Sequence, residues 1–291
     1  MNTARKALAT AALALGSLLA QTAVAQAIDN SAIGKPEFRD HKATYGLVYR
    51  LPKDVTDVLD SQIYPPLRER LVKLGLVAEA RTFNLQHVTV VHLHNADPST
   101  PRKMLAALQK VPPVLTLTLK NFYNTEAASG AGAPWWFDLG IVKSGQGFTE
   151  MMSYNTVATA ALTPLRDGPL PRVTGPVYAK MGDAAKNLVG TVGVSGVNVM
   201  KDGKETASHN PHNTLVYSMT KYDPRIQAAM KEVADDMNKI LPTGIDTQFK
   251  DISIVEIGFM GNVLREFYRI SLVDGTAWDV TSGLAVKLGA K

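Results

Sequence analysis

Hydrophobic and polar positions divide the chain into short stretches that alternate with period two and longer ones with helical spacing. Residues 43–51 (ATYGLVYRL) read as a strand. Residues 54–74 carry apolar side chains at helical spacing, and Pro65 and Pro66 are expected to bend or break that helix. Residues 85–94 (LQHVTVVHLH), rich in Val and Thr, predict a strand, and Asp97-Pro98-Ser99 then offers the start of a short helix reaching about Lys110. Residues 114–122 alternate as a strand, 124–134 form a loop of small residues, and 135–143 (WWFDLGIVK) form a further strand. From about 149 to 190 the pattern is mixed: a helix over 150–161, a Pro/Gly-rich loop through Pro176, then a helical run. Residues 193–200 and those from 205 onward are expected to pair as a hairpin around Asp202-Gly203. After a strand over 212–220, Asp223-Pro224 opens a helix to about Ile240. Strands over 251–259, 264–273 and 276–281 close the pattern.

The order is β-α-β-α-β-β, an irregular middle, then β-β-α-β-β-β. Helices beside antiparallel strands, repeated in each half, predict an α+β fold with two similar lobes. The first 25 residues are set apart from it. Arg5 and Lys6 precede an Ala/Leu-rich run, and Ala23-Val24-Ala25 ends it, the three-part pattern of a secretory signal peptide. The apolar run is too short for a lasting membrane span, and a cut after Ala27 fits equally. Expected boundaries are therefore a signal at 1–25, an arm at 26–42, and a single bilobal domain at 43–285 with an insert around 149–205. Such a chain would be periplasmic or secreted.

Composition adds three limits. With 45% hydrophobic residues the chain has material for a sizeable core. It has no cysteine, which excludes disulfides and thiolate metal sites. Residues 1–25 hold Arg5 and Lys6 but no acid, so the formal charge of +5 becomes +3 without them. That mild surplus tolerates an anionic substrate but shows no basic stripe of the kind a nucleic-acid groove carries.

Two tetrapeptides share one pattern: His87-Val88-Thr89-Val90 and His212-Asn213-Thr214-Leu215. Each begins a predicted strand, so each His and its Thr point to one face. Two such strands facing one another would present two imidazoles and two hydroxyls to one cleft. One neutral imidazole can take a proton from an attacking water while the other, protonated, gives one to a leaving oxygen. The Thr hydroxyls suit the non-bridging oxygens of a phosphate. Read from the residues alone, two half-buried strand histidines remain an equal alternative.

With these motifs the chain resembles the 2H phosphoesterase superfamily (LigT-like, 2′-5′ RNA ligase or cyclic phosphodiesterase family). Residues 84–90 (NLQHVTV) look like its first motif with its lead-in, and 211–215 (PHNTL) like its second. Residues 135–141 (WWFDLGI) resemble a strand following the first lobe, and 249–272, with Tyr268, the closing strand pair. The resemblance implies an active-site cleft between lobes, His87 and His212 as the acid–base pair, and Thr89 and Thr214 as phosphate-binding residues. It implies a metal-independent phosphodiesterase without cofactor, acting on 2′,3′-cyclic phosphates, 2′-5′ linkages or related RNA and nucleotide esters. The partner expected is a small phosphodiester or RNA end, with no stable nucleic-acid complex and no membrane, for a monomer. Departures are the 125 positions between the histidines, polar Asn213 where a hydrophobic residue is usual, and Tyr217 where many ligase-like members carry a basic residue.

Two other functions stay open. A non-catalytic periplasmic protein on the same fold would bind a phosphorylated or anionic ligand, a reading prompted by Asn213 and the long insert. His92-x-His94 with Asp97 is a zinc-like pair, although strict alternation places both on the face opposite His87 and Thr89. Of Trp135 and Trp136, alternation puts one in the core and leaves the other able to stack on a base. His209 reads as a loop residue, and Asp235-Asp236 as a solvated helix face.

Overall fold

The computed structural model describes residues 44–76, 85–126, 135–166, 199–201, 204–206, 209–218, 220–257, 261 and 263–289. The expected signal peptide and arm lie outside the described residues. So do 167–198, which hold the Pro/Gly-rich loop and the helical run of the expected insert.

After β1 (Thr44–Arg50), one helical segment runs as α1 (Lys53–Val58), a π-turn (Leu59–Ile63) and α2 (Tyr64–Lys73). Pro65 and Pro66 were expected to bend or break it. Instead the wider π-turn precedes them and Pro65 falls in the first turn of α2, where a missing N–H is tolerated. Next come β2 (His87–His94), α3 (Thr100–Ala107), β3 (Leu115–Glu126), β4 (Trp135–Ile141) and α4 (Gly145–Leu162). β3 outruns its expected end at 122, taking in Asn124 to Glu126. A bulge at Lys120-Asn121 opposite Gly140 interrupts its alternation, with Asn121 at φ 72°. Then follow β5 (Val199–Lys201), β6 (Lys204–Thr206), β7 (His212–Ser218) and α5 (Pro224–Ile240), the last capped by Asp223, whose carboxylate accepts the Ile226 N–H at 2.9 Å. β8 (Ile245–Phe249), β9 (Asp251–Ile257), β10 (Val263–Ser271), β11 (Ala277–Asp279) and β12 (Ala285–Val286) complete the order. The sequence pattern omitted β8, because Ile245-Asp246-Thr247-Gln248-Phe249 offers only two strongly apolar residues.

The strands form the predicted α+β architecture of two antiparallel lobes. One sheet has the order β12-β11-β10-β9-β1-β2 and the other β7-β4-β3-β8, while β5 and β6 pair as the expected hairpin. The lobes do not correspond to halves of the chain: each sheet takes strands from both. β2 and β7, which carry the two His-x-Thr patterns, are edge strands of different sheets.

One apolar core joins the lobes. Leu47 and Tyr49 of β1 belong to the same buried cluster as Trp135 and Phe137 of β4, and Met151 and Ala158 of α4. Tyr49 marks the junction, its ring 5.5 Å from Phe249 in the other sheet and 6.5 Å from Tyr154 on α4. Fully buried side chains of this kind contribute roughly 1.5–3 kcal/mol each, so the relative position of the two edge strands is held by packing. The opposite face of the first sheet has its own small apolar cluster, Val48, Val255, Ile257 and Val263.

Candidate active site

The two motif strands are tied together by Asn213, the polar residue inside the second motif. Asn213 is wholly buried. Its side-chain oxygen accepts the backbone N–H of His87 at 3.2 Å, and its Nδ2 donates to Gln86 Oε1 at 3.2 Å. Gln86 in turn donates to the Tyr64 hydroxyl at 2.7 Å. The lead-in to the first motif is thus hydrogen-bonded to the second motif on one side and to α2 on the other. Alternation along β7 makes this possible, since Asn213 points away from the face shared by His212 and Thr214.

Within each motif the geometry repeats. His87 pairs with Arg50 and Thr89 with Val48 across β1–β2; the register then shifts, leaving Val90 as an extra residue. His212 pairs with Gly140 and Thr214 with Asp138 across β4–β7, and there Leu215 is the extra residue. Both strands therefore bulge at the fourth motif position. Asn155 on α4 donates to the Val90 carbonyl at 2.7 Å, holding the first bulge. The rings are held alike as well. His87 Nδ1 lies 2.7 Å from the Leu85 carbonyl and His212 Nδ1 2.6 Å from that of Asn210, in each case two residues upstream. A carbonyl only accepts, so each Nδ1 donates its N–H and Nε2 is the nitrogen that can take or give a proton.

The surroundings of the two motifs differ. Asp138 is fully buried beneath the second. Its Oδ1 accepts the Thr214 hydroxyl at 2.7 Å and its Oδ2 that of Thr125 at 2.6 Å, while His212 Nε2 stands 3.8 Å from Oδ1. Thr214 thus gives its proton to Asp138 and must turn to donate elsewhere. Beside the first motif stands Arg50, whose Nη1 pairs with Glu266, a carboxylate that also accepts from Arg269 and Ser253. Burial works to raise the Glu266 carboxyl, but the bonds from Arg269 and Ser253 and the charge of Arg50 outweigh it, and the net shift is downward. Sequence reasoning assigned a role to neither Asp138 nor Arg50. The signal for Asp138 was present: a carboxylate inside an otherwise apolar strand must find partners when buried.

The bulge also corrects the placement of His92. Strict alternation put it opposite Thr89, yet the extra residue at Val90 returns it to the same face, with His92 Nε2 3.3 Å from Thr89 Oγ1. It lies over Gly46, where a Cβ would come within 3.0 Å of the His92 ring. Among the described residues, no three His, Asp or Glu side chains gather as a metal-ligand group. Trp135 is core, donating Nε1 to the Thr220 carbonyl at 2.8 Å. Trp136 stands half-buried on the face of Asp138 and pairs with the buried Tyr217.

Beside His212 lies a cavity of about 450 Å³, lined among others by Lys120, Tyr123, Gly140, Lys143 and Asn210. Gly140 leaves it open, because a Cβ there would meet the Lys120 carbonyl at 3.0 Å and the Tyr123 ring at 3.1 Å. Asn210 Nδ2 donates to the Tyr123 hydroxyl at 3.1 Å. Burial, with the Asp138 charge adding, pushes the Tyr123 phenol up, so it stays neutral and can donate. The lysines and this phenol give the cavity donors suited to an anion.

No family model matches the sequence, and no curated protein matches it. Among solved structures the chain is similar to Escherichia coli LigT complexed with NADP+ (TM-score 0.40, 11% identity, covering 80% of this chain and 99% of that one). It is similar also to a structure described as a phosphoesterase (TM-score 0.37, 12% identity, 80% and 100% covered). A third is Usb1 of Kluyveromyces marxianus (TM-score 0.36, 8% identity, 73% and 93% covered). At such identities it is the side chains of this chain, and not those of its neighbours, that carry its chemistry.

Proposed function

We propose that the chain is an exported phosphodiesterase that hydrolyses small phosphodiesters, 2′,3′-cyclic nucleotides foremost, through His87 and His212. The supporting observation is the matched pair: two edge strands with the same His-x-Thr spacing, the same bulge and the same Nδ1–carbonyl bond, joined through Asn213. One imidazole takes the proton of the attacking water and the other protonates the leaving oxygen. Two imidazoles supply both proton transfers, so the reaction needs no metal. Thr89 offers a hydroxyl to the phosphate, and Thr214 does so on turning from Asp138. The export signal at 1–25 belongs to this reading, with the mature chain starting after Ala25 or Ala27.

The polar Asn213 that prompted a purely ligand-binding alternative has a structural task here, positioning the His87 backbone. The deciding experiment is hydrolysis of 2′,3′-cyclic CMP by the mature protein in EDTA. His87→Ala and His212→Ala should each lower kcat by about 10²–10⁴-fold. Wild-type turnover in either variant would remove the mechanism. Binding of nucleotide monophosphates without turnover of any cyclic phosphate would restore the binding-protein alternative.

A further inference from the structure

The two halves of the site match at the histidines and threonines but not beneath them. Beside Thr214, β4 carries Asp138; at the matching place beside Thr89, β1 carries Val48. Beside His212, β4 carries Gly140; at the matching place beside His87, β1 carries Arg50. A proton on His212 Nε2 faces a buried carboxylate 3.8 Å away, whereas the residue across from His87 is Arg50, whose guanidinium is already paired with Glu266. An incoming phosphodiester deepens the contrast. Its negative charge would lie near Asp138, and a cationic His212 separates the two anions.

We infer that Asp138 is a positioning residue that sets the direction of proton transfer, so that His212 enters the reaction as the imidazolium acid and His87 as the neutral base. This rests on the phosphodiesterase reading above and specifies what each residue of the pair does. The step balances as follows. Water oxygen attacks phosphorus while His87 Nε2 takes its proton; the bond from phosphorus to the leaving oxygen breaks, and that oxygen takes the proton of His212 Nε2. His87 ends protonated and His212 neutral, and exchange with solvent restores the starting pair. Other ionisable groups on the elements around His212 are Tyr123 and Lys120 on β3, Lys143 after β4, His209 in its lead-in, and His87 on β2. Of these and Asp138, only Asp138 is a carboxylate, and it stands 3.8 Å from His212 Nε2.

Leaving-group chemistry tests the assignment. A nitrophenolate departs without a proton, whereas a ribose oxygen requires one. With 2′,3′-cyclic CMP and thymidine 5′-p-nitrophenyl phosphate as substrates, His212→Ala should recover at least about tenfold, relative to wild type, on the nitrophenyl ester. His87→Ala should remain impaired on both. Recovery in His87→Ala instead, or equal impairment of both variants on both substrates, overturns the assignment. Wild-type rates in both variants would remove the catalytic pair itself, and the assignment with it. Asp138→Asn keeps the shape of the site while removing the charge, one of the two threonine hydroxyls turning to accept from the new amide N–H. Its alkaline limb of kcat/KM for cyclic CMP should move to lower pH than that of the wild type, because the neighbouring charge 3.8 Å from His212 Nε2 is gone. An unmoved alkaline limb, or a shift of the acidic limb alone, also overturns the inference.

Discussion

Asn213 has no exposed surface and serves two polar neighbours, so its loss acts through unsatisfied groups as well as through lost contacts. Asn213→Ala leaves the His87 N–H and the Gln86 amide oxygen without this partner in a junction that is buried on the His87 side. A buried donor or acceptor stripped of its partner costs about 1–3 kcal/mol. Urea unfolding should show a loss of that size, and kcat should fall although neither imidazole is touched, because the His87 backbone loses its tether. Unchanged stability together with unchanged kcat would mean that the two motifs are held in register by something else. Asn213→Leu tests the point differently. It restores the hydrophobic character usual at this place in the resembled family, and should fill the space without restoring activity.

Among elements, alternation revealed much and the bulges hid the rest. The period-two pattern is enough to place His87 beside Thr89 and His212 beside Thr214. It assumes an unbroken pleat, however, and an inserted residue reverses every later side chain. That is why His92 was expected opposite Thr89 and is found beside it. A bulge rests on a long-range contact, here Asn155 of α4 with the Val90 carbonyl, and such contacts leave no local trace in sequence. The division of strands between the sheets was likewise not legible, since nothing in residues 251–257 says that they pair with β1 as well as with β10. β1, β9 and β10 also carry a prediction of their own. Glu266 is held ionised by Arg50, Arg269 and Ser253, and its carboxyl is lowered in the folded state. A depressed carboxyl contributes stability above its unfolded value and loses it as pH falls. Stability should therefore drop below about pH 4.5, the ordinary value for this glutamate, and Glu266→Gln should be less stable at neutral pH with a flatter acid dependence. Asp251, pushed up by burial, titrates in the opposite sense, so comparison of the two proteins isolates the Glu266 part. Parallel pH–stability curves for wild type and Glu266→Gln would show that this ion cluster contributes nothing.

At the scale of the molecule, the proposed function asks what would bring an anionic phosphodiester to two imidazoles beside a buried carboxylate. Tyr217 stands where the resembled family often has a basic residue, so the cation must come from elsewhere. The cavity next to Gly140, the strand partner of His212, is lined by Lys120 and Lys143, in a chain whose formal charge without residues 1–25 is +3. These lysines do not touch the reacting atoms in the reading above; they act through the field they add to the cleft. Charge reversal of both, Lys120→Glu with Lys143→Glu, should raise KM for cyclic CMP several-fold and leave kcat nearly unchanged. A field effect is screened, because the Debye length falls from about 30 Å at 0.01 M to about 3 Å at 1 M ionic strength. The gap in kcat/KM between wild type and the double variant should therefore be widest at low salt and close as salt rises. A gap independent of salt would mean that the lysines act by shape or direct contact, and no gap at low salt would mean that the substrate enters by another side of the cleft.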